Sequence, residues 1–424
     1  MNHPLVAALL LVSTLAASAQ NLPGPAGAPA PGFENPPVLS AAAILQPAYL
    51  QGTHFQVRDP VPTYAGANAY TIDSDFGVFQ ADGNDMLMRR VAEINAIAVL
   101  RQLSATKEFE ASAARAIASP LVAAQDLVTN PVGTISGVPQ GIWKFLNQTG
   151  QSVKELGEGR QSDAAQGGPA ANLLGFSKVK RQLALSLGVD PYSANPVFQK
   201  ELNKVAWPAF AGGFVADLGV AAASAGLGTA GLALSSVSWT GRLNDLLLNN
   251  SPADLRLLNL GLLLKMGVTR PEADAFLNNN AFSPTTQTFL VDALSQLTSA
   301  TGQAAFIQQA TTSGDEQDAL FYQKSAQLMA RLNTLQPITL IAQFNGLPVC
   351  QDTLGVVIIP IQWDYVSWTP NAAQFLAALQ ATKFPTPPTA YALVITGVVS
   401  PLSARSLAAA HVTVGQKQLA TPLQ

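Results

Sequence analysis

The sequence predicts an α+β protein: a mostly helical body with an N-terminal β-hairpin and a small C-terminal α/β module. Three observations carry that prediction. Residues 70–81 alternate apolar and polar side chains about a turn, the period of a half-buried hairpin. Between 84 and 335 apolar residues recur at helical spacing behind repeated Ser-Pro and capping-box starts. After Pro337, β-branched runs alternate with short helical stretches, which favours parallel strands joined through helices.

The chain opens with MNHPLVAALLLVSTLAASAQ. Leu5 to Ala17 is apolar but too short to span a bilayer comfortably, and Ala17-Ser18-Ala19 is a small-x-small cleavage pattern. Residues 1–19 are therefore read as a signal peptide, although no Lys or Arg precedes the apolar run. The expected location is periplasmic or secreted, in a bacterium, after cleavage near Ala19. Cys350 is the only cysteine, so no internal disulfide forms and the fold must rely on its core. Residues 20–37, rich in Pro, Gly and Ala, read as a disordered linker.

Residues 38–156 form the predicted hairpin and a helical segment. Tyr70–Asp73 and Gly77–Ala81 pair about a turn at Ser74–Phe76. Asp82-Gly83 ends the second strand, and Asn84 is the expected N-cap of a helix. In that helix Leu87, Val91, Ile94 and Ala98 share a core face, while Arg89, Arg90 and Glu93 are expected to face water. Four aspartates, Asp73, Asp75, Asp82 and Asp85, raise a calcium reading. Counted from Asp73, however, positions five, six and twelve hold Gly77, Val78 and Asn84, not an EF-hand set. Turn and helix-start roles account for all four. Further helices are expected at 109–118, from Pro120, and over Val138–Leu156.

A polar, Gly-rich linker spans 157–170, and a helical domain 171–336. Its helices run from Leu173 to Leu187 and from Val197 to Phe210, and start again at Ser251-Pro252, at the Thr269/Glu272 box and at Ser283-Pro284. Ser313 and Glu316 box a last helix that ends near Leu335. The α/β domain, 337–424, has a strand to Phe344, an Asn345-Gly346 hairpin turn, and a strand over Gly355–Tyr365, whose Pro360 argues for an edge or a bulge. Helices start at Thr369-Pro370 and Ser400-Pro401, with strands at 391–396 and 411–414.

Only 12% of residues are charged and the net charge is −3, so no basic stripe for nucleic acid exists; the densest cluster is Lys178, Lys180 and Arg181. Gly226–Gly231 spells G-x-G-x-x-G, but no β-branched strand precedes it and the first acid after it, Asp245, comes too early for a dinucleotide. His54 and His411, the histidines beyond the leader, are isolated, and there is no G-x-S-x-G elbow. Cys350 reads as an inert strand thiol. Asp364 stands among Trp363, Tyr365 and Trp368, aromatics that read as core. No catalytic set, metal or cofactor is expected.

Leu218–Trp239 is uncharged, and Ala222, Gly226 and Ala230 recur every four residues as a small-residue face for packing against a partner or in a membrane. Leu255–Met266 is a second apolar stretch. "LVTNPVGTISGVPQG" (127–141) and "LGVDPYSANPV" (187–197) resemble segments of uncharacterised exported bacterial proteins, a resemblance that implies export and names no activity. The expected function is a binding or assembly role at the periplasm or cell surface, toward a protein or an envelope component. One alternative is a membrane-interacting helical protein using 218–239 and 255–266. The other is a hydrolase whose carboxylates converge from distant segments.

Overall fold

The computed structural model describes residues 32–117, 169–211, 225–227 and 241–424. The expected signal peptide, most of the first linker, the helices from Pro120 and over 138–156, and the linker up to 168 lie outside the described residues, as do Ala222 and Ala230.

The predicted hairpin is present as β5 (Ala67–Ser74) and β6 (Gly77–Asp82), closed at Ser74↔Gly77. It is the centre of a larger antiparallel sheet. Around it lie β1 (Val38–Leu39), β2 (Gln51–Gly52), β3 (Phe55–Val57) and β4 (Val61–Tyr64), in the order β1-β4-β5-β3-β2 with β6 also paired to β5. These four strands are two to four residues long, too short for alternation to show in sequence. Short helices α1 (Ala41–Ile44) and α2 (Pro47–Leu50) link β1 to β2.

Tyr70, Ile72, Phe79 and Ala81 face inward and pack on α3 (Asn84–Ser104). That helix is enclosed by α4 (Lys107–Ile117), α5 (Pro169–Ser186) and α6 (Pro196–Ala211) as well as by the sheet, with Leu87, Ile94, Ile97, Leu100, Phe198 and Trp207 in one core. A helix covered on several sides buries its polar residues too, which corrects the expectation that Arg89, Arg90 and Glu93 face water. Glu93 is buried, and both arginines are mostly covered.

The next helices are α7 (Gly241–Asn249), α8 (Pro252–Lys265), α9 (Arg270–Leu277), α10 (Pro284–Ser295), α11 (Gln303–Ala310) and α12 (Glu316–Leu335). Three of these starts follow the sequence closely: Ser251 and Thr269 form capping boxes, and the Ser283 hydroxyl accepts the Thr286 N–H, whereas α7 and α11 are not among the expected helices. The start of α12 differs. Asp315, not Ser313, is its cap, because the Asp315 carboxylate reaches the Asp318 N–H at 3.0 Å.

The C-terminal module comprises β7 (Ile338–Phe344), β8 (Leu347–Asp352), β9 (Val356–Ile361), β10 (Tyr365–Val366), α13 (Pro370–Ala381), β11 (Ala390–Ile395), β12 (Val398–Val399), α14 (Pro401–Ala409) and β13 (Val412–Gly415). Its main sheet runs β13-β11-β9-β8-β7, with β9, β11 and β13 parallel and β7 and β8 antiparallel; β10 and β12 form a separate parallel pair. Alternation places Ile358 against the α8–α12 helices and Val357 and Ile359 against α13 and α14, so both faces are covered. The Asn345-Gly346 turn has both residues at positive φ, as a tight hairpin requires. Pro360 corrects the edge-or-bulge expectation: it lies in the middle strand, in register with Val394. The β8–β9 register covers only Cys350↔Ile358 and Gln351↔Val357, so the missing N–H of Pro360 falls beyond that ladder.

Two straps join the ends of the fold. Gln46 and Gln424 each bond the opposite segment: Gln46 N–H to Pro422 O at 2.8 Å, and Gln424 N–H to Ile44 O at 2.9 Å, around a Leu45↔Leu423 bridge. Glu34 accepts the Trp368 N–H at 2.6 Å and the Ser400 hydroxyl, so the end of the expected disordered linker is held in place. Composition cannot show this, because the partners lie 334 and 366 residues away.

Candidate functional site

Asp364 follows β9 and is completely buried. Its N–H donates to Gly66 O at 2.7 Å, and its carbonyl accepts the Val398 N–H at 3.0 Å. Two glycines permit this approach. A Cβ on Gly397 would lie 2.0 Å from the Asp364 carbonyl oxygen, and one on Gly66 2.6 Å from the Trp363 ring.

The carboxyl closes the seam. Asp364 Oδ2 accepts the Asn68 N–H at 2.9 Å and the Asn84 N–H at 3.0 Å. The sequence points to Asn84 as the N-cap of α3; instead Gly83 occupies the cap with φ of 96°, and Asp364 supplies the acceptor from 280 residues away. The Asn84 side chain is turned to the sheet, where its Oδ1 accepts the Tyr70 hydroxyl at 2.5 Å and Asn68 Nδ2 at 3.3 Å. Thr63 donates to Asn68 Oδ1 at 2.9 Å. Asp364 Oδ1 and Asn84 Nδ2 are buried without a partner.

Burial, with the charge of Asp85 adding to it, pushes the Asp364 carboxyl up to about 7 against the pull of the Asn68 and Asn84 amides. Asp85 is itself paired with Lys324 at 2.8 Å. Burial likewise raises the Tyr70 phenol. A cavity of about 190 Å³ adjoins this seam, lined by Leu39, Ile44, Asn68, Asp364, Lys417 and Leu423. Asp364 is legible in sequence only as an acid after an apolar strand run; nothing local points to the start of α3.

A second polar cluster runs along α3. Glu93 Oε2 accepts from Arg90 at 2.8 Å and from Asn195 Nδ2 at 2.7 Å, and Oε1 accepts the Ser193 hydroxyl. Arg89 and Arg90 both reach Glu316. Asp190 accepts the hydroxyls of Ser283 and Thr285, and burial raises its carboxyl. Asp190, Ser193 and Asn195 all come from "LGVDPYSANPV", so that segment staples α3 to the start of α10.

The remaining predicted residues are dispersed. Asp73 pairs with Arg58, Asp75 with His54 at 2.7 Å, Asp82 accepts the Tyr64 hydroxyl at 2.8 Å, and Asp85 holds Lys324. Four different partners thus engage the four calcium candidates, and among the described residues no three His, Cys, Asp or Glu side chains gather to hold a metal. His54 also contacts Ala225 O at 2.6 Å, and Gly226 sits in a turn with φ of 72°, its carbonyl accepting the Thr53 hydroxyl. Gly226 is thus not part of a helical stripe. Among the described residues no helix is long and apolar enough to cross a membrane. Cys350 is buried.

Along α8 a groove of about 340 Å³ is bordered by Arg242, Leu246, Leu257, Leu258, Leu262 and Lys265. Leu257, Leu258 and Leu264 are each nearly half exposed, at 45–46%. Gly261 lies between them, and a Cβ there would meet nothing within 4 Å.

No protein-family model, curated protein or solved structure matches the chain.

Proposed function

We propose that the protein is an exported binding or assembly component of the bacterial envelope that holds its partner on the α8 groove. The observation carrying this reading is the leucine ridge. Leu257 and Leu264 are seven residues apart on one helix face, with the Gly261 notch between them, a shape that accepts a side chain from an opposing helix. Exposed apolar clusters of this kind mark interaction surfaces. Arg242 is paired with Asp292, which also lines the groove, and the exposed Lys265 borders it, so the partner that fits is an amphipathic protein helix that sets an acid against Lys265. The leader, the low charge and the resemblance of 127–141 and 187–197 to exported proteins support the location.

The test is site-specific photo-crosslinking from Leu258 in the native host. One discrete protein adduct is expected, and Leu257→Ser in the same chain is expected to abolish it with thermal stability nearly unchanged. An adduct that persists in that variant removes the groove from consideration. Flotation of the protein with anionic liposomes, with no protein adduct, would favour the membrane reading instead.

A further inference from the structure

The seam around Asp364 has a property that the α8 groove neither needs nor explains. One carboxyl joins three parts of the chain: it accepts from Asn68 on β5 and from Asn84 at the start of α3, and its own backbone is bonded to Gly66 and Val398. No cation touches it among the described residues.

The groups facing it are few. From β5 comes Tyr70, whose hydroxyl is committed to Asn84. From α3 comes Asp85, whose charge is offset by Lys324 of α12. On its own segment lie Tyr365 and the neutral amide of Gln362, whose Nε2 lies beside Gly83. Beyond Tyr365 is Glu34, bonded to Trp368 and Ser400. After β13, Lys417 borders the same cavity, but its ammonium is bonded to the Gln424 carbonyl. A neutral carboxyl keeps both amide bonds through Oδ2 and leaves one hydroxyl, on Oδ1, without an acceptor, a smaller cost than a buried charge. An ionised one has only two amides and the positive end of α3 to replace its lost water, and it faces Asp85. The adjacent cavity gives water a short route to it once the seam parts.

We propose that Asp364 is a proton-operated latch that joins the N-terminal sheet and the start of α3 to the C-terminal module, closed when the carboxyl is protonated and loosened when it ionises. The sign follows from linkage. The closed seam holds the proton more tightly than the free side chain, with 3.8 raised to about 7. Its advantage is therefore complete below 3.8 and is lost as pH rises towards about 7, with no further loss above. Between pH 5 and pH 8 the closed-to-open ratio is expected to fall by roughly a hundredfold.

The experiment is hydrogen exchange of the intact protein at pH 5 and pH 8, corrected for intrinsic exchange and read at the segments holding the Asn68 and Asn84 amides. Protection there is expected to fall by roughly a hundredfold at the higher pH, while the α9–α11 helices keep theirs. Asp364→Asn, which keeps an acceptor oxygen but cannot ionise, is expected to erase the pH dependence at both segments. Equal corrected protection at the two pH values in the native protein overturns the latch, as does an unchanged fall in the variant. Should Asp364→Asn not fold, carboxyl carbon-13 titration of native Asp364 decides: a midpoint near 7 that moves with the Asn68 and Asn84 amide shifts supports it, and one below 5 ends it.

Discussion

Replacing Glu93 by Ala should destabilise the protein far more than its helical, charged setting in sequence implies. The Glu93 side chain is 3% exposed and its Arg90 partner 14%, and the two meet at 2.8 Å. Removing one member of a buried pair costs about 3–5 kcal/mol, because the other charge is left behind. Arg90 keeps a longer contact to Glu316 at 3.4 Å, which favours the lower end of that range. Against this, the Asn195 amide loses its acceptor, at a further cost of about 1–2 kcal/mol. Asn195 Oδ1 accepts the Val197 N–H at the start of α6, so the damage should spread into that helix. The expected loss is about 4 kcal/mol. Trp207 of α6 lies in the same core as α3, so its fluorescence during urea unfolding reads the change directly. In a double-mutant cycle with Arg90→Met, a coupling of about 2 kcal/mol is expected. A loss below about 1 kcal/mol for Glu93→Ala, the level of an exposed ion pair, would refute the account of an enclosed α3.

Gly302→Ala should cost about 3 kcal/mol, because φ is 98° and the new Cβ would lie 1.9 Å from Ile341 O, forcing α11 away from β7; a thermal shift measurement checks it. Cys350 should ignore a water-soluble thiol reagent in the native state and react with one equivalent after unfolding, since burial raises its thiol and closes access to it; native-state labelling would contradict the packing of β8.

The helical starts are the most legible part of the fold. Ser251, Thr269 and Ser283 sit where their spacing to Asp254, Glu272 and Thr286 places them, because a cap is satisfied within three residues. The β5–β6 and β7–β8 hairpins are legible for the same reason: their register is decided by adjacent residues and a tight turn. The exceptions show where local reasoning stops. Asn84 has the chemistry of a cap, yet the acceptor that serves α3 comes from Asp364. Pro360 has the look of an edge residue, yet it stands in a central strand whose neighbouring ladder ends before it.

By itself the sequence determined the α+β class, most helix starts, the two hairpins and the parallel character of the C-terminal strands, all of which depend on interactions within a few residues or on one repeating period. Only the tertiary structure decided which faces of α3 are covered and that Glu93 and Arg90 lie inside. It also decided that the segment around Gln46 is strapped to the one ending at Gln424, and that Asp364 closes the start of a helix 280 residues earlier. Desolvation and long-range hydrogen bonds set those outcomes, and they exist only once distant segments exclude water between them.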